Sequence, residues 1–208
     1  MKRTVVFMCL ALFFILSASI AMAADSISGK VGISGQIGFL VPSDSEAFEP
    51  FTPSYNLESD VGFIGGGGLI YGINKNLAIE CNITYTEFAA KIAGIQEGDF
   101  DTTNIAFGVQ YRFVDIPVPH LVPYAGGGLD ILMNGFSSSY GNSLDVDTVA
   151  GVHVCGGVDY FILPQLALNA ELKGVLAPDA DINYSGIKVG NYDPTSLSMT
   201  FGVRFFFN

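Results

Sequence analysis

Tryptophan is absent from this chain, histidine occurs twice, and lysine and arginine together number nine against twenty aspartates and glutamates. So acidic a balance excludes a nucleic-acid-binding surface, because a polyanion is drawn to basic patches and repelled by acidic ones. Charge of either sign is scarce, at 14% of residues against 50% apolar, which is poor for a surface facing water. Long apolar runs are missing too. After residue 23 no stretch is long enough for a helical membrane span. An exported chain this apolar, if it enters a membrane, must do so as strands. Only helices and closed barrels satisfy every backbone N–H and C=O in hydrocarbon.

The N-terminus supports export. Met1-Lys2-Arg3 precedes the apolar run Thr4 to Ile20 and then Ala21-Met22-Ala23, which are the basic, hydrophobic and small-residue parts of a secretory signal. Cleavage is expected after Ala23, leaving residues 24–208 as one domain, with an uncleaved anchor as the alternative. Cys9 lies inside the run without a lipobox-like context. Cys81 and Cys155 remain, on opposite sides of the expected wall, so no disulfide is predicted despite an oxidising compartment.

What the mature chain has in quantity is alternation, in segments of about ten residues, the length a tilted strand needs to cross a bilayer. Strands are predicted over Lys30 to Val41, Val61 to Tyr71, Leu77 to Glu87, Thr102 to Phe113, Leu121 to Met133, Val149 to Tyr160, from Leu166 onward, and over the final "SLSMTFGVRFFFN". In the last, Leu197, Met199, Phe201, Val203, Phe205 and Phe207 make one apolar face. The fifth is irregular. Tyr124 and Asp130 share a phase, which predicts a bulge or kink within Gly126 to Gly128. Connections after the second, fourth and sixth strands are short, and the others are long and polar, as in a bacterial outer-membrane barrel. The predicted fold is an all-β, eight-stranded antiparallel up-and-down transmembrane barrel with periplasmic termini and four long extracellular loops. A secreted soluble sandwich or lipocalin-like barrel is the alternative, but it would need a thin polar coat around a crowded interior.

The segments "GINKNLAIECNITYTEF", "VPYAGGGLDI", "VCGGVDYFILPQLALNAELKG" and the closing aromatic alternation resemble the small eight-stranded outer-membrane barrels of the opacity-protein and OmpA-transmembrane-domain type, the porin-like β-barrel family. The resemblance covers nearly all of the mature chain. It implies that Phe201, Val203, Phe205 and Phe207 form a signal read by the barrel-assembly machinery, with Asn208 after the terminal aromatic as a departure from the pattern.

Eight strands enclose an interior just wide enough for side chains to fill. The inward phase holds Glu80, Arg112, Asp159, Glu171, Lys173 and Arg204, and buried charges are costly unless paired. The expected pairs are Glu80 with Arg112 and Glu171 with Arg204, acting as a structural plug or as a gate. His153 is placed opposite Lys173 and diagonal to Glu171. No motif around "GVHVCGG" supplies a nucleophile, so a satisfied lumen histidine is expected rather than a general base. His120 is read as a solvated turn residue. No catalytic residue, metal site or cofactor is predicted: two histidines at different depths do not suggest zinc, and the mid-strand glycine runs are not phosphate loops.

Removing Lys2 and Arg3 leaves seven bases against twenty acids, a net charge of −13. Most of these acids, from Asp44 to Asp193, fall in or beside the long loops, where they could share divalent cations with lipopolysaccharide or meet a cationic partner. "SSSYGNS" from Ser137 to Ser143 reads as a mobile loop. The expected protein is a non-enzymatic outer-membrane barrel serving envelope integrity or surface interaction. A narrow gated channel for ions or small solutes, or a lipid-modifying enzyme, are the alternatives.

Overall fold

The computed structural model describes residues 26–43, 45–47, 55–92, 95–138, 143–184 and 187–207. The segment expected to be a signal peptide, its expected cleavage site and Asn208 lie outside the described residues, as do residues 139–142 of the serine-rich stretch. The alternating runs all become strands, since an extended chain sends neighbouring side chains to opposite faces and each run has one apolar set to segregate. In chain order these are β1 (Val31–Pro42), β2 (Ser45–Ala47), β3 (Tyr55–Ser59), β4 (Gly62–Gly72), β5 (Leu77–Ile92), β6 (Ile95–Arg112) and β7 (Leu121–Ser138). They continue as β8 (Ser143–Val146), β9 (Val149–Leu163), β10 (Leu166–Leu176), β11 (Ala180–Tyr184), β12 (Ile187–Tyr192) and β13 (Ser196–Phe206).

The eight long strands β1, β4, β5, β6, β7, β9, β10 and β13 pair antiparallel in that order, and β13 returns to β1 from Gly32↔Phe206 to Pro42↔Ser196. The sheet is a closed barrel with no free edge in its wall. The short strands β2, β3, β8, β11 and β12 extend that wall at the long-loop end. At the other end lie the short turns, the first described residues and the end of β13, where Phe207 N–H bonds to the Val31 carbonyl.

Outward positions carry the apolar phase along every long strand. Val154 is 70% exposed and Leu129 64%, and the last strand turns Leu197, Met199, Phe201, Val203 and Phe207 outward as well. Exposure of so many large apolar groups in unbroken rows suits hydrocarbon rather than water. Cys81 lies in this outward phase and Cys155 is buried within, on opposite sides of the wall as expected.

Two apolar clusters close the interior. At the short-turn end, Ile27, Ile70, Ala78, Val122, Phe161, Ala167 and Phe206 pack together, with Phe161 and Phe206 stacked at 5.8 Å. Ile27 reaches this layer because Gly29 adopts φ +73°, a left-handed turn open to glycine, that swings the chain from the plug into β1. At the long-loop end, Phe88, Phe100, Phe136, Ile182 and Tyr192 form an aromatic cap, with Phe100 stacked on Tyr192 at 4.6 Å. Burial pushes the Tyr192 hydroxyl up to about 12.

Three expectations about strands are corrected. The third and fourth strands run on past Glu87 and start before Thr102, as β5 and β6 pair from Leu77↔Tyr111 out to Ile92↔Ile95. Phe88 and Phe100 supply inward apolar anchors there that prolong the hairpin beyond the lipid band. In the fifth strand no bulge re-phases the chain, since β6 and β7 pair without a register shift from Gly98↔Ser138 to Arg112↔Tyr124. Tyr124 and Asp130 share a phase because both face the lumen. Finally, Pro164 and Gln165 form the tight turn between β9 and β10, and a shift between Leu166 and Ala167 sets the register. Lys173 therefore lies opposite Cys155, and His153 opposite Val175 rather than Lys173.

Candidate functional site

Between the two apolar clusters the lumen is polar and charged. Inward positions recur every second residue, so each wall strand contributes a ladder of side chains and the closed ring brings eight ladders face to face. Four carboxylates, Glu80, Asp130, Asp159 and Glu171, meet three bases, Arg112, Lys173 and Arg204, among the described residues.

Asp159 is the hub of the lower charged layer. Its carboxylate takes Arg204 Nη1 at 3.1 and 3.0 Å and lies 2.8 Å from Arg112 Nη1, while Asn169 Nδ2 donates to it at 2.8 Å. Arg112 and Asp159 have fully buried side chains. Arg112 meets Asp159 by close charge contact rather than by well-aligned hydrogen bonds. Tyr124 binds the layer together. Its hydroxyl donates to Glu171 at 2.8 Å and accepts from Asn169 at 2.9 Å, and Arg204 lies over its ring at 4.8 Å. Gly157 leaves room for this, because a Cβ there would stand 2.4 Å from the Tyr124 hydroxyl.

The expected pairs are corrected accordingly. Glu80 does not meet Arg112: Glu80 is opposite Gly108, whereas the Arg112 N–H bonds to the Asn76 carbonyl four residues along. At about 3.4 Å per strand residue that offset is roughly 14 Å, beyond side-chain reach for a direct pair. Glu80 instead accepts from Gln110 at 2.7 Å and lies 3.7 Å from Arg204. Glu171 and Arg204 do approach, at 3.8 Å, but Asp159 holds Arg204 more closely. Lys173 pairs with Asp130 at 2.7 Å, which also accepts from Asn104 at 2.7 Å and contacts His153 Nδ1.

Above these charges Thr84, Thr86, Thr102, Ser198 and Thr200 line a cavity of about 40 Å³ that reaches Phe88 and Tyr192 of the aromatic cap. Its walls include Glu80, His153, Glu171 and Lys173. The ligand atoms of Glu80, His153 and Cys155 lie within 4.8 Å of one another, a juxtaposition the linear sequence does not reveal. Asp130 and Tyr124 are the lumen residues that sequence reasoning missed. The shared phase of Tyr124 and Asp130 was the available signal, and it marked an inward face. His120, by contrast, is exposed in the β6–β7 turn, where its carbonyl accepts from the Phe161 N–H. At the long-loop end, Asp60 pairs with Lys91 at 2.5 Å and, separately, Asp181 pairs with Lys188 at 2.9 Å.

Solved structures share this architecture. The outer membrane protein OprG from Pseudomonas aeruginosa is similar at TM-score 0.72 and 16% identity, over 89% of this chain and all of that one. AlkL, determined in lipid bilayers, is similar at TM-score 0.59 and 14% identity, over 92% of this chain and 96% of that one. Neisserial surface protein A follows at TM-score 0.52 and 20% identity, over 86% and 98%. No curated protein matches the chain. At these identities the likeness concerns the fold. The family described as outer membrane protein beta-barrel domain matches residues 9–205, nearly the whole sequence. With its closed ring, apolar outer wall and ion-paired lumen, the chain belongs to that family of bacterial outer-membrane barrels.

Proposed function

We infer that this protein is a non-enzymatic structural barrel that serves envelope integrity or surface interaction, with a lumen sealed against water flow. One observation carries the reading: the Arg112–Asp159–Arg204 layer, without solvent access, is stacked between an apolar plug around Ile27 and Phe206 and an aromatic cap around Phe100. A continuous water path would have to break both apolar layers and a network of buried charges, which favours a scaffold over a pore. In this reading the outer wall takes lipid, Phe201, Val203, Phe205 and Phe207 present the strand recognised during assembly, and the acidic long-loop end shares divalent cations with lipopolysaccharide.

Planar-bilayer recording of the refolded barrel tests the seal. No discrete conductance is expected from the wild type, and steps in the wild type would move the narrow-channel reading to first place. For the non-enzymatic part, cells carrying His153→Ala are expected to keep an unchanged lipid A profile. An altered profile would make His153 a reacting group.

A further inference from the structure

Three donors of different chemistry meet beside the charged layer: Glu80 from β5, and His153 and Cys155 from β9. All three side chains are buried. Far apart in sequence, they converge because β5 and β9 stand three places apart in a ring of eight and each turns its inward phase to the same level. His153 and Cys155, two residues apart on one strand, share that face.

Each donor has a free atom. Gln110 occupies Glu80 Oε2, which leaves Oε1. Asp130 engages His153 Nδ1 and is itself fixed by Asn104 and Lys173, which leaves Nε2. A carboxylate on the far ring nitrogen is the usual support that orients a metal-binding histidine and raises its basicity. The free atoms face a gap made by glycine: a Cβ on Gly108 would lie 3.1 Å from His153 Nε2 and 3.4 Å from Glu80 Oε1. Gly126 gives similar room, since a Cβ there would lie 3.1 Å from Cys155 Sγ. The adjoining cavity of about 40 Å³, lined by Glu80 and His153, has room for a water.

The charge balance points the same way. Four lumen carboxylates meet three bases among the described residues, an acidic surplus that favours a bound cation.

We propose that Glu80 Oε1, His153 Nε2 and Cys155 Sγ bind a divalent ion of the zinc class, with water as the fourth ligand, and so staple β5 to β9 across the lumen. A thiolate, an imidazole and a carboxylate suit zinc and its cobalt substitute, whereas calcium and magnesium prefer oxygen alone. Binding releases the thiol proton to solvent. The site is independent of whether the barrel conducts.

The test refolds the detergent-solubilised barrel with Co²⁺ present, so that the metal enters before the lumen closes, and removes excess by gel filtration. Elemental analysis is expected to find about one cobalt per barrel, with a thiolate-to-cobalt absorption band, for a site of one thiolate and open water position. Cys81→Ser should keep both, and Cys155→Ser and His153→Gln should lose them while still showing the heat-dependent gel shift of a folded barrel. Cys155→Ala gives the same readout where serine is not tolerated. Folded wild type without retained cobalt, or a band that survives removal of the Cys155 thiol, would overturn the proposal.

Discussion

Asp159 carries more of the lumen than any residue around it. It neutralises two guanidinium groups, so its loss strands both Arg112 and Arg204, whereas loss of Arg112 leaves Asp159 still held by Arg204 and Asn169. Removing one partner of a buried pair costs about 3–5 kcal/mol when it leaves a buried charge without a partner, and less when the remaining charge is still held by others. Urea unfolding of the refolded barrel is thus expected to show Asp159→Asn destabilised on that scale and Arg112→Met far less. Equal losses would mean that the two arginines do not share one anion. Exposed Lys75, 3.1 Å from Asp115, provides the control. Its alanine variant should unfold as wild type does, because a solvated pair contributes little. Which side chains face inward was legible from period-two spacing, and Glu80, Arg112, Glu171, Lys173 and Arg204 all do lie in the lumen. Their partners were not legible, because a pair across a barrel depends on stagger between strands that are distant in sequence.

At the level of the strand, adjacent residues live in different solvents. On β9, His153 is buried while Val154 is the most exposed of the large apolar residues. An arginine on a lipid-facing position near the middle of a strand costs about 2–4 kcal/mol, and close to 0–1 near the interface. Refolding into lipid vesicles should therefore show Val154→Arg strongly destabilised and Tyr160→Arg, nearer the β9–β10 turn, only slightly so. A soluble sandwich would reverse the face that matters and make both substitutions mild. The hairpin of β5 and β6 teaches a related lesson. Its polar composition past Glu87 read as loop, yet paired backbone and inward Phe88 and Phe100 keep it a sheet beyond the lipid band. Polarity on the outer face marks where lipid ends, which is a different boundary from where the strand ends.

For the molecule as a whole, stability rests on closure. Every wall strand has two neighbours, and an apolar cluster packs at each end of a lumen narrow enough for side chains to fill. The folded barrel in detergent should run at a different apparent size from the heated chain on a gel, as a closed ring resists unfolding until heated. A chain that dissolves without detergent and shows no such shift would return the soluble alternative to consideration.

Alternation and turn spacing were enough to establish the eight wall strands, though not the five short strands in the long connections, and the lipid-facing phase, since side-chain direction along an extended chain is a local property with a period of two. Ring closure decided the rest. The hub at Asp159, the pairing of Asp130 with Lys173 and His153, and the meeting of Glu80 with His153 and Cys155 all depend on register and stagger, summed around the barrel from one hairpin to the next. A two-residue change at the Pro164-Gln165 turn was enough to move His153 from Lys173 to Val175. Local sequence sets the direction of each side chain, and only the closed sheet sets its height.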